Sequence, residues 1–125
     1  MGNSTDVNLA AAYIAFANAE EASQEYEKNF WAFDRFAEIC LESPDEAWHS
    51  ILEILARNPG PRVLRVLAAG PMEELLVHNG VRVIDRVEDS ARINPQVAVL
   101  LGGVWGRDVE PSVWRRVLAA RSHAW

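Results

Sequence analysis

The clearest helix signal in the sequence is the stretch SPDEAWHSILEILARN, residues 43–58. Ser43 and Glu46 have the spacing of a capping box, in which a hydroxyl accepts from a backbone N–H and a carboxylate reaches back. Pro44 suits the first helical position, because the N–H that proline lacks would have no partner there. Apolar residues then recur at helical spacing, namely Trp48, Ile51, Leu52 and Leu55. We therefore predict a helix that begins at Pro44 and ends near Asn58.

Prolines divide the rest of the chain in a similar way. Each of the others except Pro59 stands just before a run with helical spacing: Pro61, Pro71, Pro95 and Pro111. The remaining predicted helices cover residues 7–19, 30–41, 61–69, 72–77, 81–93, 97–101 and 111–120. Gly70 is predicted to end one helix and Pro71 to start the next, with a further end near Asn79. Residues 20–28 are highly charged and fit either a helix or a loop.

These segments predict an all-α fold. No stretch alternates apolar and polar residues at period two, so we expect no sheet. The predicted architecture is a compact irregular bundle of about seven or eight short helices, with a HEAT-like stack of helical hairpins as the alternative. A chain of 125 residues, half of them apolar, builds one core without metal or disulfide. We therefore predict one helical domain over residues 1–125.

The apolar stripes predict which side chains are buried. The first helix is expected to bury Leu9, Tyr13, Phe16 and Ala17, and the second Phe33, Phe36, Ala37, Cys40 and Leu41. Most of the tryptophans are expected in the core, because indole buries a large apolar area: Trp31, Trp48, Trp105 and Trp114. Trp125 is expected to be exposed.

The sequence favours a reducing, cytoplasmic location. Its one cysteine, Cys40, forms no internal disulfide, and residues 1–6 lack the basic start and apolar stretch of a secretory signal. No apolar run approaches the roughly 20 residues that a membrane-spanning helix needs. We expect no membrane association.

Charge is distributed unevenly along the chain. Residues 1–60 hold eleven acidic and three basic side chains, a net charge of −8, whereas residues 61–125 hold seven acidic and nine basic ones, a net charge of +2. The acidic half would repel nucleic-acid phosphates but attract a basic protein surface. The predicted partner-binding residues are Glu20, Glu21, Glu25, Glu27, Asp34, Glu38, Glu42, Asp45 and Glu46. The C-terminal arginines are interpreted as a solvated face, so nucleic acid is not the expected partner.

No arrangement of residues predicts catalysis. Glu46 with His49 has the i,i+3 spacing of a di-iron ligand pair, but the second candidate, Glu74 with His78, is spaced i,i+4. Cys40 lies on an apolar face, where an inert buried thiol is expected. The glycine-rich residues 102–106 lack the Lys and Ser or Thr of a phosphate-binding loop, and Val104 and Trp105 are expected to pack inward. We predict no catalytic residue, no metal site and no cofactor.

Several motifs resemble those of a bacterial family of small helical domains of unknown function. They are SPDEAW at residues 43–48, AGPMEELL at residues 69–76, Gly80, Ile84 and Arg86, and GVW at residues 103–105 with Trp114. The similarity covers about three-quarters of the chain. It implies a bacterial origin and a helical fold, and it implies nothing about catalysis, cofactor or ligand.

Three functions remain open from sequence alone. The first is a non-enzymatic protein-binding module, such as an immunity-type or inhibitor protein that covers a basic toxin or nuclease with its acidic half. The second is a self-associating structural or regulatory subunit, a homo-oligomer held by exposed Trp and Leu. The third is a small metal-dependent hydrolase built from the two Glu and His pairs.

Overall fold

The computed structural model describes the backbone of residues 2–125 and the side chains of residues 9–125. Within this part the chain is helical and contains no strand, which confirms the predicted all-α class. Residues 61–93 run on without a break, so that the described chain has six helices if this run counts as one, slightly fewer than predicted. The α-helices are α1 (Gly2–Asn18), α2 (Gln24–Glu42), α3 (Pro44–Ala56), α4 (Pro61–Leu67), α5 (Glu73–Ile93), α6 (Pro95–Leu101) and α7 (Pro111–Ala120).

Four of the five prolines predicted to begin helices do so, and Pro71 does not. The helices α3, α4, α6 and α7 begin at Pro44, Pro61, Pro95 and Pro111, respectively. Pro71 lies inside a π-helical turn, Ala68–Met72, that joins α4 directly to α5. Proline removes one α-helical hydrogen bond, and the wider π turn accommodates that loss without ending the helix. The predicted break at Gly70 and Pro71 is therefore wrong.

The predicted helix end near Asn79 is a bend within α5. Asn79 departs from helical geometry, with φ −139° and ψ 27°, and the helix then resumes. Its side-chain amide donates to two carbonyl oxygens in the last turn of α2, those of Cys40 at 2.7 Å and Leu41 at 3.1 Å. Such carbonyls have no partner within their own helix. Asn79 thus ties the centre of α5 to the end of α2.

The predicted cap at Ser43 is absent. The Ser43 side chain makes no capping hydrogen bond, and its backbone N–H donates to the Ile39 carbonyl at 2.8 Å. A serine cap is found at the start of the preceding helix, α2, where the Ser23 hydroxyl accepts from the Tyr26 N–H at 3.1 Å. The ambiguous segment 20–28 therefore divides into a short connection and the first turn of α2.

The core lies around α5, which contacts α2, α3, α6 and α7, while α1 packs against α2 and α3. The stripe predicted for α1 is buried. Among the tryptophans, Trp48 is buried as predicted, but Trp31 and Trp105 are 44% and 67% exposed, so their predicted burial is wrong. Trp105 is held by its backbone, whose N–H donates to the Glu73 carboxylate, which leaves the ring in solvent.

The C-terminal residues fold back over the end of α6. Trp125 is half-exposed, as expected, and its indole N–H donates to the Val99 carbonyl at 2.8 Å. Its ring packs so closely on the backbone that a Cβ atom at Gly103 would lie 2.4 Å from it. Among the helices that the structure describes, none has the combination of length and apolar character needed to cross a bilayer.

Candidate functional site

Helix α2 carries two apolar stripes, and only one of them enters the core. The buried stripe consists of Asn29, Ala32, Phe36, Ile39 and Cys40. Phe33, Ala37 and Leu41 belong to the second stripe and are exposed, although we predicted them to be buried. The neighbouring helices α1, α3 and α5 bury the first stripe and cover the second only in part, where Phe33 meets Phe16 of α1. The second stripe is left as part of the protein surface.

Beside the exposed apolar stripe runs a stripe of acids. Glu27, Asp34 and Glu38 follow at i, i+7 and i+11, a spacing that places them on one side of the helix. Trp31 lies between them at i+4, and Glu42 extends the row at the C-terminal end. All four carboxylates are exposed. The outer face of α2, as we call it, consists of these acids together with Trp31, Phe33 and Leu41.

The other five predicted acids lie outside this row. Glu20 and Glu21 are exposed in the connection before α2, and Glu25 occupies the first turn of α2 on nearly the opposite side, where it accepts from Asn29. Asp45 and Glu46 begin α3, beyond the C-terminal end of α2. Of the nine predicted acids, only the row on α2 therefore forms a continuous face.

Arginines neutralise part of the predicted site. Arg35 pairs with Glu38 and also with Glu46, the latter at 3.3 Å, and Arg86 pairs with Asp45. Among the residues that the structure describes, the remaining predicted acids make no ion pair: Glu20, Glu21, Glu25, Glu27, Asp34 and Glu42. The site keeps a net negative charge.

An aromatic cluster supports α2 from beneath. Phe16 on α1 stands at the centre, with ring centroids 5.8 Å from Phe30 and 5.6 Å from Phe33. Tyr13 meets Phe36 edge to face at 5.1 Å. Such aromatic pairs favour fixed geometries. Phe30 and Phe33 therefore pack against α1 and remain partly exposed.

The residues considered for catalysis do not form a shared centre. Glu46 forms an ion pair with Arg35. On the exposed side of α5, Oε2 of Glu74 lies 3.2 Å from Nε2 of His78. Over the described residues, no group of three or more His, Cys, Asp or Glu side chains comes together. The metal-hydrolase hypothesis thus receives no support from this geometry.

Cys40 is buried, as predicted. Its Sγ donates to the Pro71 carbonyl at 3.3 Å. Burial, with a further contribution from the negative charge of Glu74, raises the pKa of the thiol to about 12. Because the thiolate is the nucleophilic form, a thiol that stays protonated at neutral pH is unreactive.

One of the C-terminal arginines, Arg116, is neutralised by ion pairs within the protein. Arg116 binds Glu88 through Nε at 2.9 Å and Asp85 through a terminal nitrogen at 2.6 Å, both across the contact between α7 and α5. Such pairing leaves fewer free positive charges for phosphate contacts than the sequence count indicates.

Comparison with known proteins gives one match. A family model described as a family of unknown function (DUF6869) matches residues 19–125, which include α2 and every later helix. No curated protein and no solved structure matches the chain.

Proposed function

Because the chain belongs to a family of unknown function (DUF6869), we propose its role from its surface: it is a non-enzymatic protein-binding module that takes a basic partner on the outer face of α2. One observation carries this proposal. Exposed acids and large exposed apolar side chains lie together on the solvent side of α2, where Trp31 borders the acidic row on one side and Leu41 and Phe33 on the other, each between 44% and 56% exposed. Aromatic residues are enriched at protein interfaces, where they supply buried contact area.

Charge selects the kind of partner. Residues 20–46 carry nine acids and two bases, Lys28 and Arg35, a net charge of −7. A surface of this kind speeds the encounter with a positively charged protein and repels an acidic one. Proteins that bind nucleic acid present such basic surfaces. An inhibitor or immunity-type protein that covers a basic toxin or nuclease fits this chemistry.

Self-association through the same face is the alternative. A symmetric dimer would place the same patch on both subunits, so the acidic row of one copy would meet that of the other. Like charges placed opposite each other at an interface cost affinity. The exposed apolar residues alone would favour a dimer, and the acids beside them oppose it. We therefore favour a basic partner over a second copy.

The proposal is tested by removing charge from the face without touching an ion pair. Asp34→Asn with Glu42→Gln removes two acids from the row, and neither side chain is in an ion pair among the described residues. The partner is first captured from the native host by cross-linking to the wild-type protein and then purified. We expect its affinity for the double variant to fall about two- to thirtyfold, since each exposed charge contributes roughly 0.2–1 kcal/mol.

A matched control removes the same charge elsewhere. Glu53→Gln with Asp108→Asn takes two acids from outside α2 and should leave the affinity unchanged. The wild-type affinity should also weaken as salt is raised, because exposed charges are screened. An acidic partner, equal effects of the two double variants, or salt-independent binding would each refute the proposal. Light scattering that showed a dimer sensitive to Trp31→Ala would establish the alternative.

A further inference from the structure

A small cleft opens beside the outer face of α2. It has a volume of about 320 Å³ and lies where α1, α2 and the π turn meet. Its lining comprises Tyr13, Phe33, Phe36, Ala37, Gly70, Pro71 and Glu74. Ligand pockets start at roughly 300 Å³, so the cleft suits one side chain or a small molecule but no large cofactor.

The lining of the cleft combines three aromatic side chains with two residues of the π turn. Phe33 and Ala37 come from the exposed stripe of α2, so the cleft is continuous with the outer face. Gly70 lies in the π turn, where a Cβ atom would be 3.6 Å from the Tyr13 hydroxyl. The absence of that atom leaves room between the tyrosine and the turn. The π turn that the sequence did not predict therefore helps to shape this cleft.

The cleft contains one formal charge, on Glu74. Among the described residues that line it, none is an arginine or a lysine. Burial, and then the neighbouring Cys40, raise the pKa of Tyr13, so that the phenol stays neutral, as the Cys40 thiol does. The His78 ring binds one carboxylate oxygen of Glu74, Oε2, while Oε1 has no hydrogen-bond partner among the described residues. An unpaired carboxylate oxygen at the rim of an aromatic cleft attracts a cation.

The Tyr13 hydroxyl adds a second polar group. The residue is only 1% exposed, it lines the cleft, and no hydrogen bond of its hydroxyl is found among the residues that the structure describes. A tyrosine hydroxyl can both donate and accept a hydrogen bond, so it can pair with a polar group that enters the cleft. The cleft thus offers an acceptor and a hydroxyl at separate points of an apolar wall.

We propose that this cleft is the anchor pocket for one arginine side chain of the basic partner. A guanidinium is planar, stacks on aromatic rings and binds a carboxylate with parallel hydrogen bonds, whereas its alkyl stem packs on apolar walls. Phe33 supplies an exposed ring, Glu74 the carboxylate and Ala37 the apolar surface, while the buried Phe36 and Pro71 form the base on which they rest. Arginine is enriched among the residues that dominate interface affinity. This inference rests on the proposed function and adds the recognition element to it.

The test needs no knowledge of the partner. n-Butylguanidinium reproduces the arginine side chain together with its Cα, and n-butylurea has nearly the same shape without the charge. Each is titrated into the full chain while the backbone amides of Ala37, Gly70 and Glu74 are followed by NMR. We expect saturable shifts with n-butylguanidinium at a Kd of roughly a millimolar, the value reasonable for so small a ligand. n-Butylurea should bind at least about tenfold more weakly.

Two variants locate the binding. Glu74→Gln keeps the shape and a hydrogen-bonding end, and should weaken n-butylguanidinium about tenfold, while Glu42→Gln, the same charge change outside the cleft, should not. Ala37→Phe fills the mouth and should abolish the shifts. Ala119→Phe, at an exposed position on α7, is its control. Equal binding of the two ligands, no binding of either, or full binding to Glu74→Gln would overturn the proposal.

Further arms separate this inference from the proposed function. The peptide acetyl-Gly-Arg-Gly-amide should also bind; if only free n-butylguanidinium binds, the cleft serves a small cation and the anchor role is wrong. Glu74→Gln should weaken binding to the purified partner, but the affinity that remains should still fall as salt is raised. If Asp34→Asn with Glu42→Gln has no effect on the partner but n-butylguanidinium still enters the cleft, the proposed function fails and the cation site remains.

Discussion

Two surfaces of this protein carry similar numbers of charged side chains and use them differently. Between α5 and α7, Arg116 joins Asp85 and Glu88, and farther along α5 Arg92 pairs with Asp89. On the outer face of α2, Glu27, Asp34 and Glu42 make no ion pair with any residue that the structure describes, and they lie next to exposed apolar residues. The first surface satisfies its own charges, and the second has charge left to offer. The outer face of α2 is therefore the surface better suited to bind a charged partner.

The two faces of α2 itself give the strongest contrast, and a pair of substitutions tests it. Phe36 is fully buried against Tyr13, whereas Phe33 is nearly half exposed. Phe36→Ala should lower the free energy of unfolding by about 3–5 kcal/mol, because it leaves a cavity in the core. Phe33→Ala should cost about 1 kcal/mol or less, since surface truncations are mild. Urea denaturation at neutral pH measures both.

The outcome decides whether α2 is a core helix on one side only. Comparable losses for both substitutions would mean that the second stripe is packed as core, and the proposed binding face would have to be given up. A mild Phe33→Ala loss keeps that side chain available for a partner.

The sequence predicted where most helices begin, but it did not predict which side of α2 is buried. Proline positions depend on local geometry alone, which is why the starts of α3, α4, α6 and α7 could be placed. The choice between the two stripes of α2 depends on which side α1 and α5 approach, and no local pattern contains that information. Both stripes have helical spacing, so Phe33 and Leu41 were assigned to the wrong side.

The candidate site was predicted in composition but not in arrangement. The acids of residues 20–46 were identified from charge, yet the cleft beside them was not. It depends on Pro71 being held in a π turn and on Tyr13 reaching Gly70 from α1, contacts between residues far apart in the chain. The only local signal was a proline closely preceded by glycine, which equally fits a helix break.

The link between α2 and α5 offers the next test in size. Asn79→Ala removes two hydrogen bonds to the carbonyl oxygens of Cys40 and Leu41. Both carbonyls lie in the last turn of α2. We expect a loss of about 1–2 kcal/mol in the free energy of unfolding, because water replaces these bonds only in part. Differential scanning calorimetry or urea denaturation would measure it.

A near-isosteric variant makes this test specific. Asn79→Asp keeps the size of the side chain but has no N–H to donate, and it places a carboxylate against carbonyl oxygens. It should be at least as damaging as Asn79→Ala. If Asn79→Asp were as stable as the wild type, the amide would not be acting as a cap for α2, and the bend in α5 would need another cause.

The smallest expected effects, and the most direct measure of the contrast between the two surfaces, are those of charge on stability. The hydrogen bonds of Arg116, together with its positive charge, lower the pKa of Glu88. A carboxyl whose pKa is lower in the folded state stabilises the protein above its unfolded pKa, and this contribution is lost as pH falls through the folded value. Arg116→Gln should therefore lower the urea midpoint slightly at pH 7, and the two proteins should converge as the pH falls below the lowered pKa of Glu88. Asp34→Asn on α2 should do the opposite at pH 7, because Asp34 and Glu38 are like charges one helical turn apart. If both substitutions lower the midpoint, the carboxylates of α2 are satisfied within the protein after all, and the outer face has no excess charge for a partner.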